Sequence, residues 1–193
     1  MSKNKSGLKI SYNSPVVLGF TLICLISLVL SSITHGASNH LVFSVYRSSL
    51  LSPLTYIRFF GHIFGHADWG HFVGNMTYIL LLGPLLEEKY GKTDMIMIIA
   101  ITALVTGLIN FIFFPHVLLL GASGVVFAFI LLSSFTGFQN GKIPLTFIIV
   151  ALIYIGQQVY NGIFINNNIS ELTHIIGGLI GSVFGFVENK FKR

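Results

Sequence analysis

Residues 101–135 read ITALVTGLINFIFFPHVLLLGASGVVFAFILLSSF and contain no Lys, Arg, Asp or Glu. The uncharged run extends on both sides, over residues 95–141. Near its middle a serine stands in a glycine frame, Gly121-Ala122-Ser123-Gly124. A run this long and apolar, broken at Pro115, predicts two membrane-spanning helices, with Ser123 near the beginning of the second.

The whole chain is also strongly apolar and poor in charged residues. Of its 193 residues, 53% are hydrophobic and 9% are charged, and the mean hydropathy is +0.83. Soluble domains carry about 25% charged residues, so the composition predicts a polytopic membrane protein. The net charge of +5 comes from small basic groups at segment ends, which argues against a nucleic-acid surface. The single cysteine, Cys24, excludes an intramolecular disulfide and a cysteine cluster for metal.

Charged and turn-forming residues divide the chain into apolar segments, and each membrane span needs about 20 residues. We therefore predict an all-α bundle of six transmembrane helices that forms a single domain over residues 1–193. The first segment is too long for a signal-peptide core and lacks a clear cleavage site, so we expect it to be retained. Residues 35–60 are too polar to span and are predicted to form a long ordered outer loop. The helices are expected near 16–33, 69–87, 94–114, 122–136, 143–161 and 171–189.

Lysine and arginine are distributed unevenly between the two sides of the predicted bundle. With six spans both termini face the same side, and nine of the 11 basic residues fall there. Only Arg47 and Arg58 fall on the other side. Positive charge favours the cytoplasmic side, so we expect a multi-pass protein of the plasma or inner membrane with both termini in the cytoplasm. The nine residues are Lys3, Lys5, Lys9, Lys89, Lys92, Lys142, Lys190, Lys192 and Arg193.

Four polar side chains are predicted at one depth of this bundle: Ser123, His174, His71 and Asn75. Counting from the inner helix ends at about 1.5 Å per residue places each of them roughly 18–24 Å above the inner face. Isolated polar groups at that depth are costly. We therefore expect them to share a wet cavity that opens to the outside.

Ser123 and His174 are a candidate nucleophile and general base. Ser123 opens its helix, so its own N–H belongs to the unsatisfied donors that favour the negative charge of an oxyanion. His71 and Asn75, four residues apart, face the same direction and would donate hydrogen bonds to that oxyanion. No Asp or Glu is expected at matching depth to orient His174, which predicts a dyad and not a triad. Phe127, one turn after Ser123, would hold the imidazole by stacking.

Small residues would let the helices of Ser123 and His174 approach closely, as is typical of membrane helix packing. Gly121 removes a side chain beside the hydroxyl, which would let a substrate backbone approach. The small residues are Gly177, Gly181 and Gly185 on the last helix and Gly124 and Ala128 on the helix of Ser123.

Each of these features also has a simpler interpretation. Glycine and serine in an apolar run are typical of helix packing, and a lone membrane histidine often makes a structural hydrogen bond. His62 and His66 have a spacing seen in zinc sites, but no Glu follows His62 as an H-E-x-x-H motif requires. We expect these two residues to tie the outer loop to the second span. No metal and no cofactor is predicted. Asn75 matches a glycosylation motif, but within a span.

Two functions of other classes remain open from the residues alone. The first is a non-catalytic membrane binder or chaperone, and the second is a small transporter with His71, Asn75 and His174 as a polar pathway. The presence of both Ser123 and His174 favours hydrolysis over these two functions. The shortage of intramembrane carboxylates disfavours proton-coupled transport.

Three motifs stand in order on the predicted helices. They are H-x-x-x-N at His71–Asn75, G-x-S-G at Gly121–Gly124, and H-x-x-G-x-x-x-G at His174–Gly181. Together with Arg58 in the loop and Glu87 before Gly91, these motifs make the chain resemble the rhomboid intramembrane serine proteases. The resemblance covers roughly residues 16–190 and is closest to the compact six-helix form found in bacteria.

The resemblance implies that Ser123 is the nucleophile, His174 the base, and His71, Asn75 and the Ser123 N–H the oxyanion hole. Gly121, Gly124, Phe127, Gly177 and Gly181 would support this site. Substrates would be single-span membrane proteins, cleaved near their outer membrane boundary at small residues beside helix-weakening sequence.

The resemblance also implies that the fifth helix and the loop near 162–171 form a substrate gate and cap. Two positions depart from the family pattern. Phe127 stands where the family often has tyrosine, so the ring can still stack on the imidazole but cannot form a hydrogen bond through a phenol hydroxyl. Ile57 stands where an aromatic residue precedes the loop arginine.

Overall fold

The structure of the protein is a computed structural model that describes residues 12–136, 142–164 and 171–191. Within these ranges the chain forms α-helices joined by loops, with one 3₁₀ turn at His62–Phe64. The helices are α1 Pro15–Ile33, α2 Ala37–Leu41, α3 Pro53–Gly61, α4 Trp69–Tyr90, α5 Lys92–Phe113, α6 Ser123–Ser134, α7 Leu145–Phe164 and α8 Glu171–Phe191.

Six of the described helices, α1 and α4 to α8, lie where the sequence predicted helices, and no bound differs by more than three residues. Three of them are long and apolar enough to cross a membrane: α1, α5 and the segment Glu171–Asn189 of α8. The chain is thus an all-helical membrane protein, and the crossing of all six segments stays a prediction. The apolar helix α6 has 12 residues, about 18 Å, so its two ends cannot both reach the surfaces of a core about 30 Å thick.

The region predicted as an outer loop holds the short helices α2 and α3 and the 3₁₀ turn. Arg58 organises this region from inside, because its Nε donates to the carbonyl of Leu41 at 2.9 Å and its guanidinium lies over the ring of Tyr46. Val45 forms two backbone hydrogen bonds with Leu119, of 2.9 and 3.0 Å. The region is therefore bonded directly to the connection that leads into α6.

The main core fills the space between α1, α4, α5 and α6 with closely packed apolar side chains. Since lipid is as apolar as these residues, packing and interhelical hydrogen bonds hold such helices together in a membrane. Fully buried examples are Ile79, Met95, Ile98, Phe129 and Leu132.

A buried carboxylate joins the end of α4 to the start of α1. The side chain of Glu87 accepts hydrogen bonds from the backbone N–H groups of Val16 and Val17, at 3.2 and 3.1 Å. These N–H groups belong to the first turn of α1, which has no earlier carbonyls to bind and favours negative charge. Gly91, with φ +85°, then turns the chain directly from α4 into α5.

Candidate active site

The site is built on the contact between α6 and α8, which pack more extensively than any other described pair. A Cβ at Gly177 would overlap the backbone carbonyl of Gly124, and a Cβ at Gly181 would overlap that of Ala128. The two helices therefore approach backbone to backbone at the predicted small residues. This spacing lets a short serine side chain on α6 reach a ring on α8.

Ser123 and His174 are brought into hydrogen-bond contact. Ser123 is the first residue of α6, and its Oγ lies 2.9 Å from Nε2 of His174, in the first turn of α8. His174 is buried and Ser123 is half-buried. When the hydroxyl donates to Nε2, the hydrogen of the neutral imidazole is on Nδ1. This is the arrangement in which an imidazole can take the serine proton.

Phe127 lies against the imidazole, as the one-turn spacing from Ser123 predicted. The ring centroids of Phe127 and His174 are 4.7 Å apart. The interplanar angle of 46° makes the contact tilted and not parallel. The phenyl ring therefore covers one side of the imidazole and restricts its rotation.

Sequence reasoning missed Glu171, and the prediction that no carboxylate lies at the level of His174 is wrong. An Oε2 atom of Glu171 is 3.5 Å from Nδ1 of His174, in an i, i+3 pair on α8. Glu171 is three residues before His174, about one helical turn closer to the start of α8. A glutamate side chain is long enough to span that turn, so the i, i+3 spacing was the signal that could have found it.

His71 and Asn75 lie against Gly121, two residues before Ser123. Asp68 caps α4 by accepting from the N–H of His71 at 2.8 Å, which places His71 in the first turn. Gly121 has φ +125°, and a Cβ there would fall 2.7 Å from the imidazole of His71 and 3.8 Å from Nδ2 of Asn75. Glycine is thus required for both the backbone angle and the space.

His66 holds the amide of Asn75, and sequence reasoning did not connect the two. Nδ1 of His66 donates to the carbonyl of Phe64 at 3.2 Å, so Nε2 accepts from Nδ2 of Asn75, also at 3.2 Å. Burial, and then the neighbouring His71, lower the pKa of His66 to about 4. His66 is therefore neutral near pH 7, as this bonding pattern needs. The predicted link from the outer loop to α4 is present at His66.

His62 makes a different link from the one predicted. Its Nε2 donates to the carbonyl of Ala103 on α5 at 3.0 Å, and its own carbonyl accepts from the N–H of Gly121 at 2.9 Å. Burial lowers the pKa of this histidine to about 4. His62 therefore ties the loop to α5 and to the segment before Ser123, and not to α4. No group of three His, Cys, Asp or Glu suited to a metal ion occurs in the described ranges.

Comparison with known proteins assigns the family. The family model described as "Rhomboid domain" matches residues 53–191. This match covers well over half of the chain and includes every site residue named above. The chain belongs to the rhomboid family. The resemblance seen in the three sequence motifs is thereby confirmed.

Individual relatives of this rhomboid chain are distant. Rhomboid-related protein 1 of Caenorhabditis elegans is 30% identical over 141 residues, covering 67% of this chain and 39% of that protein. Rhomboid protease GlpG of Haemophilus influenzae is 22% identical over 140 residues, covering 70% and 71%. Rhomboid-related protein 2 of Mus musculus is 29% identical over 158 residues, covering 71% and 52%. The chain spans less than two thirds of the length of two of these three relatives.

Some features predicted for this rhomboid lie outside the described residues. Residues 165–170, with most of the expected cap, are among them. So are most of the terminal basic residues used to predict orientation. The gate, the cap and the orientation stay predictions.

Proposed function

We propose that this rhomboid is an intramembrane serine endopeptidase in which Ser123 is the nucleophile and His174 the general base. The observation that carries the proposal is the distance of 2.9 Å between Oγ of Ser123 and Nε2 of His174. It joins residues 51 positions apart, on two helices that pack backbone to backbone. The family and the relatives named rhomboid protease support the same reading.

In the first step, Oγ of Ser123 attacks the carbonyl carbon of the scissile bond as its proton passes to Nε2 of His174. The carbonyl oxygen becomes an oxyanion, which we assign to the N–H of Ser123 and the side chains of His71 and Asn75. The peptide C–N bond then breaks as Nε2 returns the proton to the leaving amine. This leaves an acyl-enzyme ester on Ser123.

In the second step, water gives a proton to Nε2 and its oxygen attacks the ester carbon. The acyl carbon–Oγ bond breaks, and the proton returns to Oγ, which regenerates Ser123 and releases the carboxyl product. Gly121 supports this chemistry through the space that it leaves for His71 and Asn75. The close contact between α6 and α8, which keeps Ser123 near His174, depends on Gly124, Gly177 and Gly181. The ring of Phe127 packs against the imidazole and restricts its rotation.

We infer that the substrates are single-span membrane proteins, cleaved near their outer membrane boundary. Ser123 begins a 12-residue apolar helix that cannot reach both membrane surfaces, and with the orientation proposed below its hydroxyl would lie beneath the outer surface. We further propose a single domain of six spans in the cell membrane, with both termini in the cytoplasm. The helix α7 and the following loop would admit the substrate.

The test is cleavage of a model single-span substrate by the purified protein in lipid vesicles. Wild type is expected to cut, and Ser123→Ala and His174→Ala are expected to be inactive. Ser133→Ala is the matched control, because this serine lies on the same helix and only bonds the carbonyl of Ile130. Equal cleavage by Ser123→Ala, or labelling of another residue by a serine-directed phosphonate, would contradict the proposal. Substrate binding without cleavage by wild type would point to a binder instead.

A further inference from the structure

The two ring nitrogens of His174 face different partners. Nε2 lies 2.9 Å from Oγ of Ser123, and Nδ1 lies 3.5 Å from an Oε2 atom of Glu171. We propose that Glu171 is a positioning residue that orients the imidazole of His174, so that Ser123, His174 and Glu171 act together in place of the dyad predicted from the residues. This inference rests on the proposed function and adds a residue to it.

The placement of Glu171 on α8 makes the contact local. Glu171 and His174 are an i, i+3 pair in the first turn, so their side chains lie on the same helix face. Their side chains are only 14% and 10% exposed. Water therefore screens the pair less than it screens an exposed ion pair, which strengthens the interaction between them.

An ionised Glu171 would select the tautomer of His174 that catalysis requires. Nε2 must carry no hydrogen if it is to accept the proton of Ser123, so the single hydrogen of the neutral ring has to be on Nδ1. A carboxylate only accepts hydrogen bonds, and it therefore favours the tautomer with hydrogen on Nδ1. Without that partner, the tautomer with hydrogen on Nε2, which cannot act as base, becomes more populated.

The same carboxylate would stabilise the transition state more than the ground state. His174 becomes an imidazolium when it takes the serine proton, and the attraction between Nδ1–H and Oε2 increases at that moment. The distance of 3.5 Å is longer than the about 2.7–2.9 Å of a charge-assisted hydrogen bond. Such contacts shorten in many enzymes once substrate is bound.

The structure shows two titratable groups close to this ring. Among the described residues, the titratable groups near His174 are Glu171 on its own helix and His71 on α4. The helices α6 and α7 contain no Asp, Glu, Lys, Arg or His. A change at Glu171 should therefore appear in the pH dependence of turnover.

A purely structural role for Glu171 makes a different prediction. An acidic residue in the first helical turn interacts favourably with the helix dipole. Loss of that interaction would lower the melting temperature and leave kcat of the folded enzyme and its pH profile unchanged. The pH profile thus separates positioning from helix stabilisation.

The experiment compares the full chain and its Glu171→Gln, Glu171→Asp, Glu188→Gln and Ser123→Ala variants in lipid vesicles. Turnover of a single-span substrate is measured from about pH 3 to about pH 8, which includes and extends below the range in which histidine usually titrates. The rate of labelling by a fluorophosphonate gives a second readout of serine activation. Glu188→Gln removes the same charge at the opposite end of α8 and is the matched control.

For Glu171→Gln we expect kcat and the labelling rate to fall roughly ten-fold or more, with KM unchanged. The acidic limb of the kcat profile should move to lower pH, because the imidazolium has lost its anionic partner. Glu171→Asp should restore part of the rate, and Glu188→Gln should match wild type.

If Glu171→Gln keeps the kcat and the acidic limb of the wild type, the inference about Glu171 is wrong. The proposed function still stands in that case, provided that Ser123→Ala is inactive. A change confined to KM or to the melting temperature would overturn the inference as well. If Glu171→Gln does not fold, Glu171→Asp tests the positioning role instead. A wild-type pH profile of Glu171→Asp would count against that role. A lowered kcat with a shifted acidic limb would support it. Cleavage by Ser123→Ala would instead refute the proposed function itself.

Discussion

Gly177 of α8 and Gly124 of α6 meet backbone to backbone, with no room for a Cβ at Gly177. The contact lies next to Ser123 on one helix and one turn from His174 on the other. The separation of the helices at this point therefore sets the distance between the two polar side chains. A glycine that takes no part in the chemistry therefore controls the geometry of the proposed nucleophile and base.

Gly177→Ala is expected to force α6 and α8 apart. Overpacking of this kind costs about 1–3 kcal/mol, and the longer distance between Oγ and Nε2 should lower kcat at least ten-fold. Thermal unfolding and substrate turnover measure the two effects. Gly19→Ala is the control, since nothing lies within 4 Å of a Cβ at that position of α1. Equal turnover in both variants would show that the contact between α6 and α8 at Gly177 does not control activity.

Phe127→Ala should slow catalysis and leave the fold intact. A contact between aromatic rings contributes about 0.5–1.5 kcal/mol, so we expect kcat to fall roughly 2- to 12-fold. Phe113→Ala, at an exposed position at the end of α5, is the matched control and should keep wild-type turnover. Turnover unchanged in Phe127→Ala would remove this ring from the mechanism.

His66→Ala should weaken the proposed oxyanion hole without touching the substrate. The variant leaves Nδ2 of Asn75 without its imidazole acceptor, so the amide can rotate away from Gly121. Loss of a whole oxyanion donor costs about 100- to 1,000-fold in kcat, and loss of its orientation should cost less than that. His116→Ala, an exposed residue in the connection before α6, is the control. A kcat in His66→Ala equal to that of the control would contradict the assignment.

Acid should destabilise the protein through His62. Burial lowers the pKa of His62 from 6.5 to about 4, so the unfolded chain binds a proton before the folded one does. Stability is therefore fully present above about pH 6.5 and falls as the pH is lowered towards 4. Melting temperatures across this range should fall less steeply for His62→Gln, which keeps a donor for Ala103. Parallel curves for the two proteins would rule out His62 as the source.

Glu87 and Glu88 form a natural pair for testing the α1–α4 junction. Glu87→Gln removes the charge that binds the first N–H groups of α1 and should cost about 1–2 kcal/mol, because these hydrogen bonds are buried and charge-assisted. Glu88→Gln makes the same chemical change at an exposed neighbour and should be close to neutral. Unfolding in detergent measures both, and a larger loss in Glu88→Gln would contradict this role of Glu87.

The positions of the helices could be predicted because membrane segments are long, uniform and punctuated by charge. Helical rise converts sequence distance into depth, and that conversion placed Ser123 and His174 at one level before their contact was known. The small residues on α6 and α8 indicated the close approach. The catalytic roles of these residues stay a prediction, as do the oxyanion hole and the gate.

Other parts of the site could not be predicted from depth or periodicity. Glu171 lies one turn from the level of His174, and only the reach of its side chain brings the carboxylate to the ring. The bond between His66 and Asn75 depends on the irregular path of the chain after the 3₁₀ turn, which leaves no repeating pattern in the sequence. For the same reason His62 was expected to bond α4, whereas it bonds α5.

One segment outside the long helices, His62 to His66, bonds both halves of the site. The carbonyl of His62 accepts a hydrogen bond from the N–H of Gly121, and Nε2 of His66 accepts one from the amide of Asn75. Proteins open locally before they unfold as a whole, and this segment, although buried, lies outside the long cooperative helices. On heating, activity should therefore disappear at a lower temperature than helicity. The thermal limit of the enzyme would then be set by five residues, while the helices in the membrane remain intact.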